Sequence, residues 1–459
     1  MEQIIKPHCG ARLDRLPDCR WHSSMFAIVA FGLLVCWSNA VGGLILAQLK
    51  ALGWTDNSTT ATFSAITTAG MFLGALVGGI IGDKTGRRNA FILYEAIHIA
   101  SMVVGAFSPN MDFLIACRFV MGVGLGALLV TLFAGFTEYM PGRNRGTWSS
   151  RVSFIGNWSY PLCSLIAMGL TPLISAEWNW RVQLLIPAIL SLIATALAWR
   201  YFPESPRWLE SRGRYQEAEK VMRSIEEGVI RQTGKPLPPV VIADDGKAPQ
   251  AVPYSALLTG VLLKRVILGS CVLIAMNVVQ YTLINWLPTI FMTQRINLKD
   301  SIVLNTMSMF GAPFGIFIAM LVMDKIPRKT MGVGLLILIA VLGYIYSLQT
   351  SMLLITLIGF FLITFVYMYV CYASAVYVPE IWPTEAKLRG SGLANAVGRI
   401  SGIAAPYAVA VLLSSYGVTG VFILLGAVSI IVAIAIATIG IETKGVSVES
   451  LSIDAVANK

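Results

Sequence analysis

Of the 459 residues of this chain, 56% are hydrophobic and only 13% are charged, and the formal net charge is +10. A soluble protein carries about 25% charged residues, so this composition excludes an ordinary water-soluble enzyme or nucleic-acid-binding domain. Nearly all lysines and arginines lie before the first apolar run or in every second loop. That pattern reflects membrane topology rather than a surface that binds a polyanion.

Long uncharged stretches follow one another along the chain, and each can cross a hydrocarbon core of about 30 Å as a helix. They predict an all-α integral membrane protein with about twelve transmembrane helices, at 24–49, 60–82, 89–108, 111–137, 148–171, 179–202, 263–292, 300–323, 330–348, 351–379, 388–414 and 417–440.

The predicted organisation has five parts. An N-terminal tail (1–23) precedes a first six-helix half (24–202), and a polar central loop (203–262) leads to a second six-helix half (263–440) and a C-terminal tail (441–459). The basic loops place both termini and the central loop in the cytoplasm. The first apolar run is too long for a signal peptide, so we expect the leader to be retained.

Two charged motifs occur twice with nearly the same offset. Asp83, in Gly82-Asp83-Lys84-Thr85-Gly86-Arg87-Arg88, recurs 241 positions later as Asp324, in Met323-Asp324-Lys325-Ile326-Pro327-Arg328-Lys329. Glu138 recurs 242 positions later as Glu380, each shortly before a proline and an Arg-Gly pair. A duplicated bundle of membrane helices predicts a secondary transporter with its substrate site where the halves meet.

The duplicated motifs place opposite charges at cytoplasmic helix ends. Such charges can pair across the bundle and separate as the halves rock, which would make them a gate. The alternative is that the basic residues only set the topology.

The chain resembles the major facilitator superfamily, specifically its sugar porters and organic-acid (metabolite) symporters. The motifs that carry the resemblance are Gly82-Asp83-x-x-Gly86-Arg87-Arg88, Arg118-x-x-x-Gly122-x-Gly124, Glu138-x-x-Pro141 with Arg145-Gly146, Pro203-Glu204-Ser205-Pro206-Arg207-Trp208-Leu209, and Glu380-Ile381-Trp382-Pro383 with Arg389-Gly390. The resemblance implies two six-helix pseudo-repeats, alternating access, and a cytoplasmic gate made by Asp83, Arg87, Arg88, Glu138, Arg145, Glu204, Arg207, Asp324, Arg328, Glu380 and Arg389.

Two departures from that family bear on function. Proton-coupled members carry an acid in the first span, whereas residues 35–43 here contain no carboxylate, and Asn39 cannot titrate. The seventh span lacks the Gln-Gln pair of hexose porters, so a simple hexose is not the expected substrate.

Arg118 and Arg399 lie inside the predicted fourth and eleventh spans. An arginine in a bilayer needs a partner, and its fork of N–H donors suits a carboxylate, so both are candidate substrate ligands. The alternatives are that Arg118 bonds to carbonyls and that Arg399 reaches the cytoplasmic surface. Polar and aromatic residues of several spans complete the predicted substrate site: Asn39, Asn157, Trp158, Tyr160, Asn277, Gln280, Tyr281, Asn285, Trp286, Tyr372 and Asn395.

Glu95 and His98 are three residues apart on one face of the third span, and a carboxylate beside an imidazole can relay a proton. Glu138 is a competing proton site, and a hydrogen-bonded helix contact is the alternative role for the pair.

The sequence therefore predicts a secondary active transporter, not an enzyme, for a small polar metabolite such as a sugar acid, another carboxylate or a sugar. Proton-coupled uptake is expected, with a uniporter, a drug or metabolite exporter and a membrane metabolite sensor as alternatives. The expected partners are the substrate, protons and membrane lipid. We expect no cofactor, metal or nucleic acid, and a monomer in the inner membrane.

Overall fold

The computed structural model describes residues 7–17, 19–33, 36–140, 145–240, 253–323, 325–383 and 386–444. Within these ranges the chain is helical and contains no β-strand. The helices are α1 (Cys9–Asp14), α2 (Arg20–Leu33), α3 (Trp37–Ala40), α4 (Gly42–Ala51), α5 (Asn57–Thr85), α6 (Arg87–Ala106), α7 (Met111–Tyr139), α8 (Arg145–Asn157), α9 (Ser159–Leu170), α10 (Ala176–Tyr201), α11 (Pro206–Ser211), α12 (Tyr215–Thr233), α13 (Tyr254–Leu257), α14 (Gly260–Thr293), α15 (Leu298–Met309), α16 (Gly311–Val322), α17 (Arg328–Ser347), α18 (Met352–Cys371), a π-helix (Tyr372–Tyr377), α19 (Val378–Glu380) and α20 (Lys387–Ile439).

The described residues contain ten helical segments that are long and apolar enough to cross a membrane, against twelve predicted spans. One difference is the predicted fifth span, 148–171. The chain turns at Trp158 and divides this span into α8, with 13 residues, and α9, with 12 residues. Each piece alone falls short of the roughly 20 residues that a crossing needs, but together they are long enough.

The second difference is at α20, which contains both the eleventh and the twelfth predicted spans. It has 53 residues, and Gly417 within it has φ 64° and ψ −159°, which is not a helical conformation. A positive φ is accessible to glycine without strain, so the chain can reverse there between two spans. Twelve spans in the arrangement of two six-helix pseudo-repeats are therefore confirmed.

The chain forms two compact units. Unit 1 contains Met1–Asn39, Gly70–Ser159 and Leu184–Gly246, and unit 2 contains Ala40–Ala69, Tyr160–Gln183 and Lys247–Lys459. Unit 2 thus joins the predicted outer parts of four first-half spans to the helices of the second half. The predicted division of the chain into two tails, two six-helix halves and a central loop at 203–262 stays a prediction.

Glycines determine how closely the helices of unit 1 approach. A Cβ atom on Gly126 would lie 2.1 Å from the carbonyl oxygen of Met71, and one on Gly74 would lie 2.0 Å from that of Val123. These positions hold α5 against α7 with their backbones in contact, as small residues do between membrane helices. The glycines near Gly124 therefore serve helix packing.

Unit 2 joins first-half and second-half spans at their predicted outer ends. The Nδ2 atom of Asn57, at the start of α5, donates to the Oγ atom of Ser414 over 2.9 Å. Ala61 is buried in one apolar cluster with Trp286, Ile290 and Leu413. Within this unit, first-half and second-half helices are thus in direct contact at the outer side.

A short N-terminal strap, residues 8–16, packs on helices α11 and α12 of the predicted central loop, in unit 1. Its apolar side chains are buried with those of the two helices, in a cluster that contains Cys9, Leu13, Leu16, Trp208, Leu209, Ala218, Met222, Ile225 and Val229. The strap also receives hydrogen bonds at its start, because the N–H groups of His8 and Cys9 donate to the carboxylate of Glu210 over 3.0 and 2.8 Å.

Ion pairs hold the charged side of the strap. Arg12 binds Glu226 with two N–H donors, at 3.0 and 2.6 Å, and also pairs with Glu219, while Arg15 reaches Glu226 at 2.6 Å. Burial alone would raise the pKa of Glu226, but the hydrogen bonds from Arg12 and Arg15 outweigh it and leave that pKa below its usual value.

We expect acid to release the strap. A carboxylate with a lowered folded-state pKa stabilises the fold above its unfolded pKa of about 4.5, and that stabilisation is lost as the pH falls through the folded value. The protection factors of the amides of residues 9–14, which compare the observed exchange with the intrinsic rate at the same pH, should therefore fall in acid. Arg12→Ala should lower them already at neutral pH, by roughly tenfold for a loss of about 1.5 kcal/mol.

The matched control is Arg223→Ala, since Arg223 also pairs with Glu219 but lies exposed on α12 and forms no hydrogen bond to the described residues of the strap. Equal exchange in the parent and in Arg12→Ala would contradict the importance of the ion pairs.

Candidate functional site

The first charged cluster joins the loop between α5 and α6 to the ends of α7 and α10. Arg87 binds Asp83 at 2.7 Å and Glu138 at 2.9 Å. The carboxylate of Glu204 accepts the backbone N–H groups of Arg87 and Arg88 at 2.7 and 3.3 Å, which satisfies unpaired donors at the start of α6. The hydroxyl of Ser205 donates to Glu138.

The second charged cluster repeats this arrangement in unit 2. Arg328 binds Glu380 with two nitrogens, at 3.0 and 3.1 Å. The carboxylate of Glu442 accepts the N–H groups of Arg328 and Lys329 at 2.8 and 3.1 Å, and the Thr443 hydroxyl donates to Glu380 at 2.6 Å. Each half therefore has an arginine–glutamate pair and a second glutamate that caps the following helix.

Sequence reasoning missed Glu442 and Thr443. The signal was available, since Glu442 follows the twelfth span as Glu204 follows the sixth, 238 positions earlier, and both precede a hydroxyl residue. This repeat was not recognised because only two residues match.

The two capping glutamates differ in their electrostatics. Burial raises the pKa of Glu204 despite the three backbone N–H groups that it accepts. Burial also acts on Glu442, but the N–H groups of Arg328, Lys329 and Lys444 outweigh it and lower the pKa of that carboxyl group.

Other predicted gate residues lie near these clusters with different partners. The guanidinium of Arg88 donates to the Trp199 carbonyl oxygen at 2.5 Å, and that of Arg207 binds Asp14 of the strap at 2.9 Å. Arg389 lies over the ring of Tyr254, with its guanidinium carbon 5.2 Å from the ring centroid. Asp324 and the side chain of Arg145 lie outside the described residues.

Buried polar groups from several helices of unit 1 form one connected series of contacts. The Nη1 atom of Arg118 donates to the backbone carbonyl oxygen of Ser38 at 2.8 Å. The Ser38 hydroxyl lies 2.8 Å from the Nε2 atom of His98, whose Nδ1 atom is 3.7 Å from a carboxylate oxygen of Glu95 and 3.4 Å from the Ser191 hydroxyl. Glu95 and His98 are fully buried, and Arg118 is 2% exposed.

The structure therefore brings three predicted residues of unit 1 into one connected group. Sequence reasoning treated Arg118 and the Glu95–His98 pair separately, because the link is the backbone carbonyl and hydroxyl of Ser38. Every residue has a backbone carbonyl oxygen, so the residue type gives no sign that this one accepts a hydrogen bond from Arg118. The carbonyl contact anticipated as an alternative for Arg118 is present.

A second group of polar and aromatic residues lies in unit 2. The rings of Tyr160 and Tyr367 meet edge to face, with centroids 5.4 Å apart, and Gln280 lies beside the Tyr367 hydroxyl. A Cβ atom on Gly402 would lie 3.2 Å from the ring of Tyr281, which shows how closely the eleventh span approaches the seventh. Tyr367 was not predicted as a site residue.

Arg399 stands one turn before Gly402 on the same face of α20. Its Nη1 atom is buried and has no hydrogen-bond partner within the described ranges. The preceding glycine, Gly398, packs against Asn277, since a Cβ atom there would lie 3.0 Å from the Asn277 side-chain nitrogen. A guanidinium with a spare donor is thus on the helix segment that packs against Asn277 and Tyr281 through its glycines.

The remaining predicted substrate residues take other positions in the two units. Tyr372 stacks on Tyr377 at 5.0 Å near the second charged cluster, and Asn395 is exposed and donates to the Ser391 carbonyl oxygen at 2.9 Å. Other members of the set are Asn285 and Trp286, both buried in unit 2, and Asn39, Asn157 and Trp158, all in unit 1.

The arrangement offers binding and proton transfer rather than bond-breaking chemistry. Among the described residues, Arg399 can bind an anion, the amides and tyrosine hydroxyls can bind hydroxyl groups, and the Glu95–His98 pair can hold a proton.

The solved structures and known sequences that this chain resembles are those of transporters. The fold resembles that of the xylose transporter XylE of Escherichia coli in a partially occluded inward-open conformation, with a TM-score of 0.74 and 18% identity over 93% of this chain and 100% of that one. A structure described as the proton:xylose symporter XylE matches with a TM-score of 0.65 and 19% identity over 94% of this chain and 98% of that one.

Among related sequences, the inner membrane metabolite transport protein YdjE of Escherichia coli is 44% identical over 96% of this chain and 98% of its own length. The niacin transporter NiaP of Acinetobacter baylyi is 25% identical over 96% of this chain and 99% of its own length. The family model described as sugar (and other) transporter matches residues 24–455, so the chain belongs to this family of the major facilitator superfamily and is a membrane transporter, not an enzyme.

Proposed function

We propose that the protein is a secondary active transporter that takes up a small carboxylate-bearing metabolite, such as a sugar acid, by alternating access. The observation that carries this proposal is the buried Nη1 atom of Arg399, which has no hydrogen-bond partner among the described residues and belongs to the same unit as the polar group. An arginine inside a membrane protein is costly without a counter-charge, and a substrate carboxylate would supply one through two parallel hydrogen bonds.

The polar group of unit 2 favours a substrate with several polar atoms. Asn277 and Gln280 can bind hydroxyl groups, and Tyr160, Tyr281 and Tyr367 offer aromatic faces for a ring. A relative that is named a niacin transporter gives a precedent for a ring-bearing acid, and one named a xylose symporter gives a precedent for a sugar. Arg118 is the second candidate ligand, although it already donates to Ser38.

Contacts inside unit 2 support alternating access. First-half and second-half helices meet there at the predicted outer ends, through Asn57 and Ser414 and through the apolar cluster around Trp286. Those contacts must separate for a substrate to enter from outside. The two charged clusters would act at the cytoplasmic side, as the predicted gate.

Proton coupling is part of the proposal, and the structural relative named a proton:xylose symporter supports it. The first span has no carboxylate, so uniport remains the alternative unless another acid holds the proton. An exporter of greasy compounds is less favoured, because the group in unit 2 is rich in amides and hydroxyls.

For the setting of the protein we infer a multi-pass inner membrane location, which the related inner membrane protein and the apolar spans support. The basic loops put both termini in the cytoplasm. We infer that a monomer surrounded by lipid carries out the transport.

We expect acids to stabilise the purified protein more than neutral sugars do. A ligand that binds only the folded state raises the melting temperature. D-gluconate and nicotinate should each raise it, D-xylose should raise it less, and Arg399→Ala should lose the response to the two acids while still folding. The measurement is a melting curve in detergent for each compound.

The matched control is Arg295→Ala, since Arg295 follows α14 in an exposed turn and lies outside the polar group. A shift with D-xylose alone, unchanged in Arg399→Ala, would overturn the carboxylate site and favour a neutral sugar.

Both arginine–glutamate pairs of the proposed gate should show a measurable coupling. Partly buried neighbours in one hydrogen-bonded network couple by about 1 to 3 kcal/mol. We expect the double variant of Arg328→Ala and Glu380→Ala to lose less unfolding free energy than the sum of the losses in the two single variants. The same is expected for Arg87→Ala and Glu138→Ala. Unfolding in denaturant measures both cycles.

Exposed Glu227 on α12 provides the control, because a cycle of Glu227→Ala with Arg328→Ala should be additive. Additivity within either pair would remove its arginine–glutamate contact from the proposed gate.

A further inference from the structure

The third span contains a carboxyl group in an unusual environment. Glu95 is fully buried, and neither of its carboxylate oxygens has a hydrogen-bond partner in the part of the chain that the structure describes. The nearest ionisable atom is the Nδ1 atom of His98, at 3.7 Å. An ionised carboxylate without hydrogen bonds is costly in such a place, so a proton shared between the two side chains suits this geometry.

Other groups around the pair are few. The first span contributes the Cys36 thiol, which interacts electrostatically with Glu95, and the Ser38 hydroxyl. The fourth span contributes Arg118, and the sixth contributes the Ser191 hydroxyl. From the second span, the Gly78 carbonyl oxygen accepts the hydroxyl of Tyr94 of α6 in this region. Arg118 is therefore the basic side chain, besides His98, that the described residues bring into this cluster.

We propose that the Glu95–His98 pair is the proton-binding site of this transporter and that Ser38 connects it to Arg118 in place of a first-span acid. The identity of the co-transported acid rests on the proposed function, whereas the location of the proton site does not. Binding forms one O–H or N–H bond on the pair, and release returns that proton to water.

The charges of the cluster give the coupling. With the proton bound, the pair is neutral in sum and Arg118 leaves a net positive charge. With the proton released, the negative charge of Glu95 cancels the positive charge of Arg118, and His98 and Ser38 lie between the two side chains. A buried positive charge attracts an anion, so the protonated state binds a carboxylate at Arg118, the second candidate ligand, more tightly than the deprotonated state does. One proton would then accompany each carboxylate.

Infrared difference spectroscopy between acid and alkaline buffers tests the proton site on the detergent-purified full chain. The absorption of a protonated carboxyl group differs from that of a carboxylate, and a buried group gives a separate band. We expect such a band in the parent and in Glu177→Gln, which alters an exposed carboxyl group at the start of α10. The band should be lost in Glu95→Gln and shifted in frequency in Glu95→Asp.

A parent protein without a pH-dependent buried band would overturn the proposal, whether or not any variant folds. So would a band that persists unchanged in Glu95→Gln. Melting curves of each variant establish that it is folded before its spectrum is compared.

Transport of labelled D-gluconate and nicotinate into proteoliposomes with a trapped pH dye tests the coupling, with protein-free liposomes as the blank. The parent and Glu177→Gln should acidify the interior as the acid enters. Glu95→Gln should still exchange labelled acid but lose the acidification. Acidification by Glu95→Gln equal to that of the parent would overturn the proposal. If the parent moves neither acid, the proposed function fails, and the infrared result still decides the proton site.

Discussion

A charge inside a helical membrane bundle has to be neutralised by groups of the same bundle, because the lipid around it supplies none. That requirement explains where most charged side chains of the spans stand. Arg118 uses the Ser38 carbonyl oxygen, Arg265 donates to the Ile381 carbonyl oxygen at 2.9 Å, and Arg328 uses Glu380. Arg399 and Glu95 both have buried atoms without a hydrogen-bond partner among the described residues, and they are the residues proposed to meet the substrate and the proton.

The same requirement explains the duplication of the charged clusters. The third and ninth spans each start with unpaired N–H groups, and a glutamate from the end of the sixth or twelfth span accepts two of them. That glutamate ties the last span of its half to the third or ninth. Tyrosines reinforce the tie, since Tyr139 donates to the Pro203 carbonyl oxygen at 2.6 Å and Tyr377 to that of Ile441 at 3.0 Å.

Periodicity and charge in the sequence were enough to predict the spans, the duplication and the class of protein, because hydrophobic length and the placement of basic loops are properties of composition. They could not locate the turn at Trp158 within the fifth span, which is set by local backbone conformation. Nor could they connect Arg118 to His98, because the acceptor on Ser38 is a backbone atom. Glu95 and His98 were found from their spacing alone, whereas the absence of hydrogen bonds to Glu95 became visible only in three dimensions.

The two capping glutamates show that duplicated geometry need not mean duplicated electrostatics. A raised pKa makes the protonated form of Glu204 the favoured one in the fold, so its contribution to stability is present in acid and is lost as the pH rises through its folded value. The lowered pKa of Glu442 has the opposite sign, and its contribution is lost in acid. The hydrogen bonds of both caps favour the ionised carboxylate, because N–H donors bind it more strongly than they bind a protonated carboxyl group. The opposite directions of the two pKa shifts therefore come from burial, which outweighs the hydrogen bonds at Glu204 but not at Glu442. The extent to which water is excluded, and not the hydrogen-bond geometry, thus sets how each half responds to pH.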